Sequence, residues 1–350
     1  MLLAVVRPSE AQQTKILTAD KHNEYGLIYS LPITEFDVEV ITERKVMKAG
    51  AFYPYAKKYL GTDDVVKEDH EEWTIREIKV LPYGVSDPEK QYLMQLKSGS
   101  VTYIAVSSDG MLQAINAQPE NSGNVSSDTE SGKKSGIELS DNEYLQYVGE
   151  DFLSATSSAK KAALLADELL EIRDARLSLT RGTAETMPAD GRQLELMLAS
   201  LERQEAALKA AFLGNAVTET VVKHFTFRPE PNARKILFRM SGFAGPVDSG
   251  NYSGEPVYVE VKVTEEPSLP VDAKGEEKKM PKDAVAYCIP GSAMISLVYK
   301  GQKLVEEEFQ VAQFGMVFGL NPSLFSDKKE PSYAIFDPAT GALLELGEVN

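Results

Sequence analysis

Residues 157–182 read SSAKKAALLADELLEIRDARLSLTRG, and residues 188–214 read PADGRQLELMLASLERQEAALKAAFLG. In the first, Ala162, Leu165, Leu169, Ile172 and Leu179 recur at three- and four-residue steps, with Arg176 interrupting the seam. In the second, Leu194, Leu198, Leu201, Leu208 and Phe212 do the same. That spacing places apolar side chains on one stripe of a helix. Asp190 followed by Gln193 has the form of a capping box, and Gly182 and Gly214 stand where helices stop. The link TAETMPAD is short, so two amphipathic helices of about 30 Å each are expected to pack antiparallel.

The flanking sequence has a different period. Residues 25–116 alternate apolar and polar, as in FDVEV (36–40), and VTYIAVSSDGMLQAIN carries a hairpin turn at Asp109-Gly110. From residue 217 onward, strand patterns return in TETVVKHFTF, RKILFRMS, PVYVEVKV, AVAYCIP, MISLVYK and SYAIFD. The fold class expected is therefore α+β, mostly β, with two β-rich units flanking a long antiparallel helical hairpin. The expected division is an N-terminal segment 1–24, a β-rich unit 25–150, the hairpin 151–214 and a second β-rich unit 215–350. Residues 118–142 have almost no apolar side chains and read as a mobile loop. GLIYSLP (26–32) and AVAYCIP (284–290), followed later by the hairpins of 101–115 and 331–346, suggest that the second unit is a distant repeat of the first.

GAFYPYAKKYLG (50–61) packs four aromatic residues into eight positions. Pro54 can open a helix and Gly61 can end it, which puts Tyr55 and Tyr59 one turn apart. This reads as a short amphipathic helix packed on a sheet rather than a binding platform, with Phe314 near the corresponding place in the second unit.

The net charge of −16 on 350 residues repels phosphate backbones, so nucleic acid is not an expected partner. No apolar run approaches the length of a membrane helix, so no membrane span is expected. The start, MLLAVVRPSEAQQTK, resembles the tail of a signal peptide, and a periplasmic, cell-envelope or secreted location is expected. The single cysteine, Cys288, lies among apolar neighbours and reads as a buried small hydrophobe.

The sequence supports no catalytic or metal motif among those its histidines, lysines and glycines could form. His70 in KEDHEEWT is followed four residues later by Thr74, so the zinc-peptidase pattern fails. The surrounding acidic run lacks calcium-loop spacing. His22 and His224 show no evident partner in the sequence. SGKKSG (131–136) would need glycine at position 127 to be a phosphate loop, and Ser127 stands there. No cofactor is expected. Paired carboxylates for hydrolysis are findable anywhere among 53 acidic residues, so their presence carries no information.

The order YGLIYSLP, GAFYPYAKKYLG, VTYIAVSSDGMLQAIN, PADGRQLELML, AQFGMVFGL and FDPATGALLEL resembles an uncharacterised domain-of-unknown-function family of envelope or secreted proteins from gut Gram-negative anaerobes. The resemblance implies export and no activity, cofactor or catalytic residue. Three functions follow for testing. The first is a non-enzymatic envelope protein that binds a protein partner, or itself, through 157–213. The second is a carbohydrate- or peptide-binding β module using Tyr53, Trp73, Tyr83 and Tyr252, with glycan as the ligand. The third is a carboxylate-dependent hydrolase.

Overall fold

The computed structural model describes residues 13–16, 26–95, 103–119, 131–271, 274–281, 283–326 and 331–349. His22, the first 12 residues and residues 120–130 of the loop read over 118–142 lie outside the described residues.

The elements in chain order are β1 (Gln13–Ile16), β2 (Leu27–Lys48), α1 (Ala56–Leu60), β3 (His70–Gln95), β4 (Ile104–Val106), β5 (Leu112–Ile115) and β6 (Lys134–Ser135). Then come α2 (Glu150–Ser154), α3 (Ser158–Arg181), α4 (Gly191–Leu213) and β7 (Asn215–Phe227). The chain ends with β8 (Arg234–Ser241), β9 (Gly245–Asp248), β10 (Gly254–Glu265), β11 (Val285–Tyr299), β12 (Gln302–Leu320), β13 (Ser332–Phe336) and β14 (Leu343–Glu348). The protein is mostly β, and its strands form three antiparallel sheets. Their orders are β1-β3-β2-β7-β6, β12-β11-β10-β8-β9 and β14-β13-β5-β4. Strands from before and after the helices share sheets: β7 pairs with β2, and β13 pairs with β5.

β2 spans about 70 Å at the rise of a strand and serves two cores. Near its start, the odd-numbered Tyr29 and Leu31 are buried with Tyr287, Phe318 and Phe336. Further on, the even-numbered Phe36, Val38 and Val40 are buried against Val257, Val259, Ile295 and Leu297 of the second sheet. A register break between Ser30 and Pro32 separates the two stretches. Pro32 lacks an N–H for the ladder, and at this break residues 87–90 of β3 stand opposite Leu31 alone, so the pairing is interrupted and the buried side chains change from odd to even positions. β11 carries a similar break between Ile289 and Gly291, at Pro290. Each long strand also meets a glycine turn just before its break: Ser30 N–H donates to Gly110 O (2.9 Å) and Cys288 N–H to Gly341 O (3.0 Å).

Side chains of β2 tie it to strands nearly 300 positions away. The Tyr29 hydroxyl accepts from Ala286 N–H at 2.8 Å and donates to Ala286 O at 3.3 Å. Thr34 Oγ1 accepts from Ala312 N–H and donates to Ala339 O, both at 2.9 Å. Gln313 holds Thr34 at both backbone atoms: Thr34 N–H donates to Oε1 at 3.0 Å, and Nε2 donates to Thr34 O at 2.9 Å. The Gln313 amide thus stands in for a neighbouring strand. Gly84 leaves room for the turn that carries Ala339, since a Cβ there would fall 2.0 Å from Pro338 O.

Because Thr34 is fully buried, replacing its hydroxyl by a methyl leaves two backbone groups without partners. Thr34→Val is expected to lower stability by about 2–4 kcal/mol, read as a fall in the urea midpoint with unchanged slope. An unchanged midpoint would show that the crossing does not depend on these bonds.

Candidate functional site on the helical pair

The two helices expected over 157–213 are present as α3 and α4. The Ser157 side chain caps α3 by accepting from Lys160 N–H at 3.2 Å, and Asp190 caps α4 by accepting from Gln193 N–H at 2.8 Å. Gly182 ends α3 at φ 71° and Gly214 follows α4 at φ 83°, values that suit a residue without Cβ.

The base of the pair is core. Leu165, Leu169 and Ile172 of α3 and Leu208 and Phe212 of α4 are buried together with Phe52 and Phe152. Phe52 lies 6.0 Å from Phe152 and 6.2 Å from Phe212, and its N–H donates to Ala211 O at 2.7 Å. This corrects the reading of GAFYPYAKKYLG. The stretch forms a 3-10 turn (Tyr53–Tyr55) and α1, ended by Gly61 as expected, but it packs on helices and not on a sheet. An amphipathic turn shows that one face is covered and does not show by what.

Above the base, two buried carboxylates clamp the helices. Glu205, 4% exposed, accepts from Arg173 Nε at 3.1 Å and Arg176 Nη2 at 3.0 Å, and pairs with Lys209. Glu143 accepts from Arg203 Nε at 2.6 Å, Arg203 Nη2 at 2.8 Å and Ser140 N–H at 2.9 Å. Burial pushes both carboxyls up. The cationic and backbone donors outweigh it and hold both below the usual glutamate value.

Beyond this clamp the pair changes character. From Gly191 to Ser200 no residue of α4 is buried, and from Arg173 to Arg181 only Leu179 is. Leu177, Met187 and Met197 are exposed, and Leu196 is 63% exposed. Between the helix ends lies a groove of about 520 Å³ whose walls include Ala175, Ser178, Leu179, Met197, Ser200 and Leu201. Residues 173–200 carry Arg173, Arg176, Arg181 and Arg192 against Asp174, Glu185, Asp190 and Glu195, so this part is neutral on a chain of net charge −16. Geometry of this kind binds apolar surface.

A second cluster lies on the other face of the first sheet. His224, which the sequence left without a partner, has Nδ1 2.8 Å from Asp37 Oδ2. Beside it Glu39, 1% exposed, has Lys79 Nζ 3.7 Å from Oε1 and no hydrogen bond to either carboxylate oxygen. Cys288 is no nucleophile for this pair, being buried elsewhere with its thiol pushed up to about 11 by burial. Among the described residues no group of His, Cys, Asp and Glu is placed to hold a metal ion, and no helix is long and apolar enough to cross a membrane.

The four aromatic candidates have separate surroundings. Tyr53 is exposed in the turn before α1. Trp73 is half-buried on β3, with Arg44 5.8 Å from its ring and Gly245 pressed against it so closely that a Cβ would fall 2.4 Å away. The Tyr83 hydroxyl donates to Glu35 at 2.9 Å, and burial together with Glu35 pushes it up to about 12. Tyr252 is 85% exposed, with the Arg239 guanidinium 4.8 Å from its ring centre. Phe243, in the turn between β8 and β9, is 88% exposed and was not singled out from sequence, where its context SGFAG gave only a loop signal.

The structure thus defines a mostly β protein that carries a helical pair whose apolar end is uncovered among the described residues. The chain belongs to the family described as Domain of unknown function (DUF4831), whose model matches residues 25–344. No curated protein and no solved structure matches it significantly.

The two depressed carboxyls make the clamp sensitive to acid. Their contribution is complete above the ordinary glutamate value and is lost as pH falls through the lower folded value. Glu205→Gln is expected to cost about 1–3 kcal/mol at pH 7, since its cationic partners can rehydrate. As pH falls through the depressed folded value the variant and the parent should converge, because Glu205 then becomes protonated in both states of the parent. Urea titrations across that range test this, and a constant difference between the two chains would contradict it.

Proposed function

We propose that this chain is a non-enzymatic protein of the cell envelope or secreted set that works by docking another protein on the distal half of α3 and α4. The observation that carries this is the uncovered groove and its apolar rim. Two helices alone bury only a narrow stripe between them and have no third wall. At the base, Phe52 and Phe152 supply that wall; beyond the Glu205 clamp nothing among the described residues does. The caps and the clamp hold the pair rigid, which lowers the ordering cost of binding. Export is part of the same proposal and is supported by the apolar LLAVV followed by SEAQQ at the start of the sequence.

The base and the tip call for different deletions. Removing all of 157–213 strips Phe52 and Phe152 of their cover and is expected to unfold the surrounding core. Replacing only 177–197 by a short Gly-Ser turn is expected to keep the sheet signal in circular dichroism. A benzophenone placed on Leu196→Cys reports binding, because Cys288 is buried and reacts poorly. In the native envelope fraction the labelled full chain is expected to give a specific adduct, which an excess of unlabelled full chain suppresses and an excess of the trimmed chain does not. Equal suppression by both would remove the tip from the docking surface.

A second reading, glycan or peptide binding, is favoured by Phe243 and Tyr252, which stand exposed at the two ends of β9. Aromatic faces of this kind stack on sugar rings. The only tryptophan, Trp73, lies under Gly245 and reports on that region. On this reading its fluorescence changes saturably with added glycan, and Tyr252→Ala abolishes the change. No response across a glycan panel would retire the reading.

A further inference from the structure

Resting on the docking reading above, we propose that the occupant of the groove is a second copy of this chain, the two helical pairs closing into a twofold four-helix bundle.

Charge selects this partner. Residues 173–200 are neutral, so the full −16 resides on the rest of the molecule. A strongly basic partner would find its complement on the body and not on this end. A strongly acidic one would be repelled by the body. Two copies repel everywhere except where neutral ends meet, and there Arg181 and Arg192 of each copy, which the Glu205 clamp does not engage, can pair with Glu185 and Glu195 of the other across a twofold axis. Arginine and methionine are also the residue types enriched at interface cores, and Met187 and Met197 stand exposed here.

Shape agrees. A twofold interface uses one surface twice, so the same element must offer both a projection and a socket. Leu196 projects from α4 immediately beside Met197, which lines the groove. The groove walls include the small side chains of Ala175, Ser178 and Ser200, which let a facing helix approach closely. Leu196 of each copy fills the groove of the other, and the two pairs become the four walls of a bundle. Only about 8 Å of α3 and about 21 Å of α4 lie beyond the Arg176–Glu205 pair, so the association is reversible and not obligate.

Sedimentation velocity on the full chain, from about 1 to 100 μM, tests this. The expected result is a concentration-dependent shift from the 38.5 kDa chain to twice that mass. Leu196→Glu and Ala175→Lys should each keep the chain monomeric at every concentration while leaving its circular dichroism and unfolding midpoint unchanged. The double variant Ala175→Lys/Leu196→Glu should restore the dimer, because each lysine then faces a glutamate of the other copy. A parent chain that stays monomeric to 100 μM overturns the inference. So does a dimer that neither single variant weakens. Failure of the broader docking reading is separate: in the benzophenone experiment, a monomeric chain that still gives a specific heterologous adduct at Leu196 keeps docking and discards the second copy. A monomeric chain with no such adduct discards both.

Discussion

The hydrogen bonds converging on Thr34 are the constraint on which the rest of the molecule depends. Residues 34, 312, 313 and 339 meet at one buried point, where the Gln313 side chain plays the part of a strand and the Thr34 hydroxyl serves two backbone groups. Closing so long a stretch of chain is entropically costly, and burial of Phe36, Val38 and Val40 on one side and Tyr29 and Leu31 on the other offsets it. With the first and last thirds of the chain tied here, the segment between β3 and β7 leaves beside the start of β2, where Met94 pairs with Leu27, and returns at its far end. It returns where Asn215 pairs with Lys48, at a point so close that a Cβ on Gly214 would fall 2.5 Å from Lys48 O. The helical pair is therefore mounted on the end of the sheet rather than laid across its face.

That mounting divides the pair into two regimes. The base is close-packed around Phe52, and its leucines contribute roughly 1.5–3 kcal/mol each. The clamp at Glu205 and Glu143 adds little net energy after desolvation, but it fixes the register of α3 against α4 and of α4 against the Glu143–Tyr147 turn. Past it the helices are held by each other and by their caps. A rigid, uncovered end on a firmly anchored base is the combination a docking surface needs, because little order has to be created when the partner arrives.

The sequence made the helices legible through their own periodicity and caps, since helix signals are local. Strand faces were legible too, as in Phe36, Val38 and Val40. Strand partners were not, because alternation states which side chains are buried and says nothing about neighbours; β5 pairing with β13 joins segments more than 200 positions apart. The same limit hid the Asp37–His224 contact, whose members lie 187 positions apart. Within the site, Leu194 and Leu198 share the apolar stripe of Leu208 in sequence, yet neither is buried and Leu208 is fully so. The difference arises only because Phe52 and its neighbours cover the base and end there. The four aromatic residues chosen by type have separate surroundings, as expected of a choice that used no spacing constraint.

Hydrogen–deuterium exchange along α3 and α4, followed as a function of protein concentration, tests this division most directly. The account predicts that amides of Ala162–Ile172 and Leu208–Phe212 exchange as slowly as those of β2 at every concentration. It predicts that amides of Leu177–Arg181 and Leu194–Ser200 exchange faster when the chain is dilute and become protected as it is concentrated. Uniform protection along both helices, independent of concentration, would contradict the claim that the base is core and the end is a docking surface.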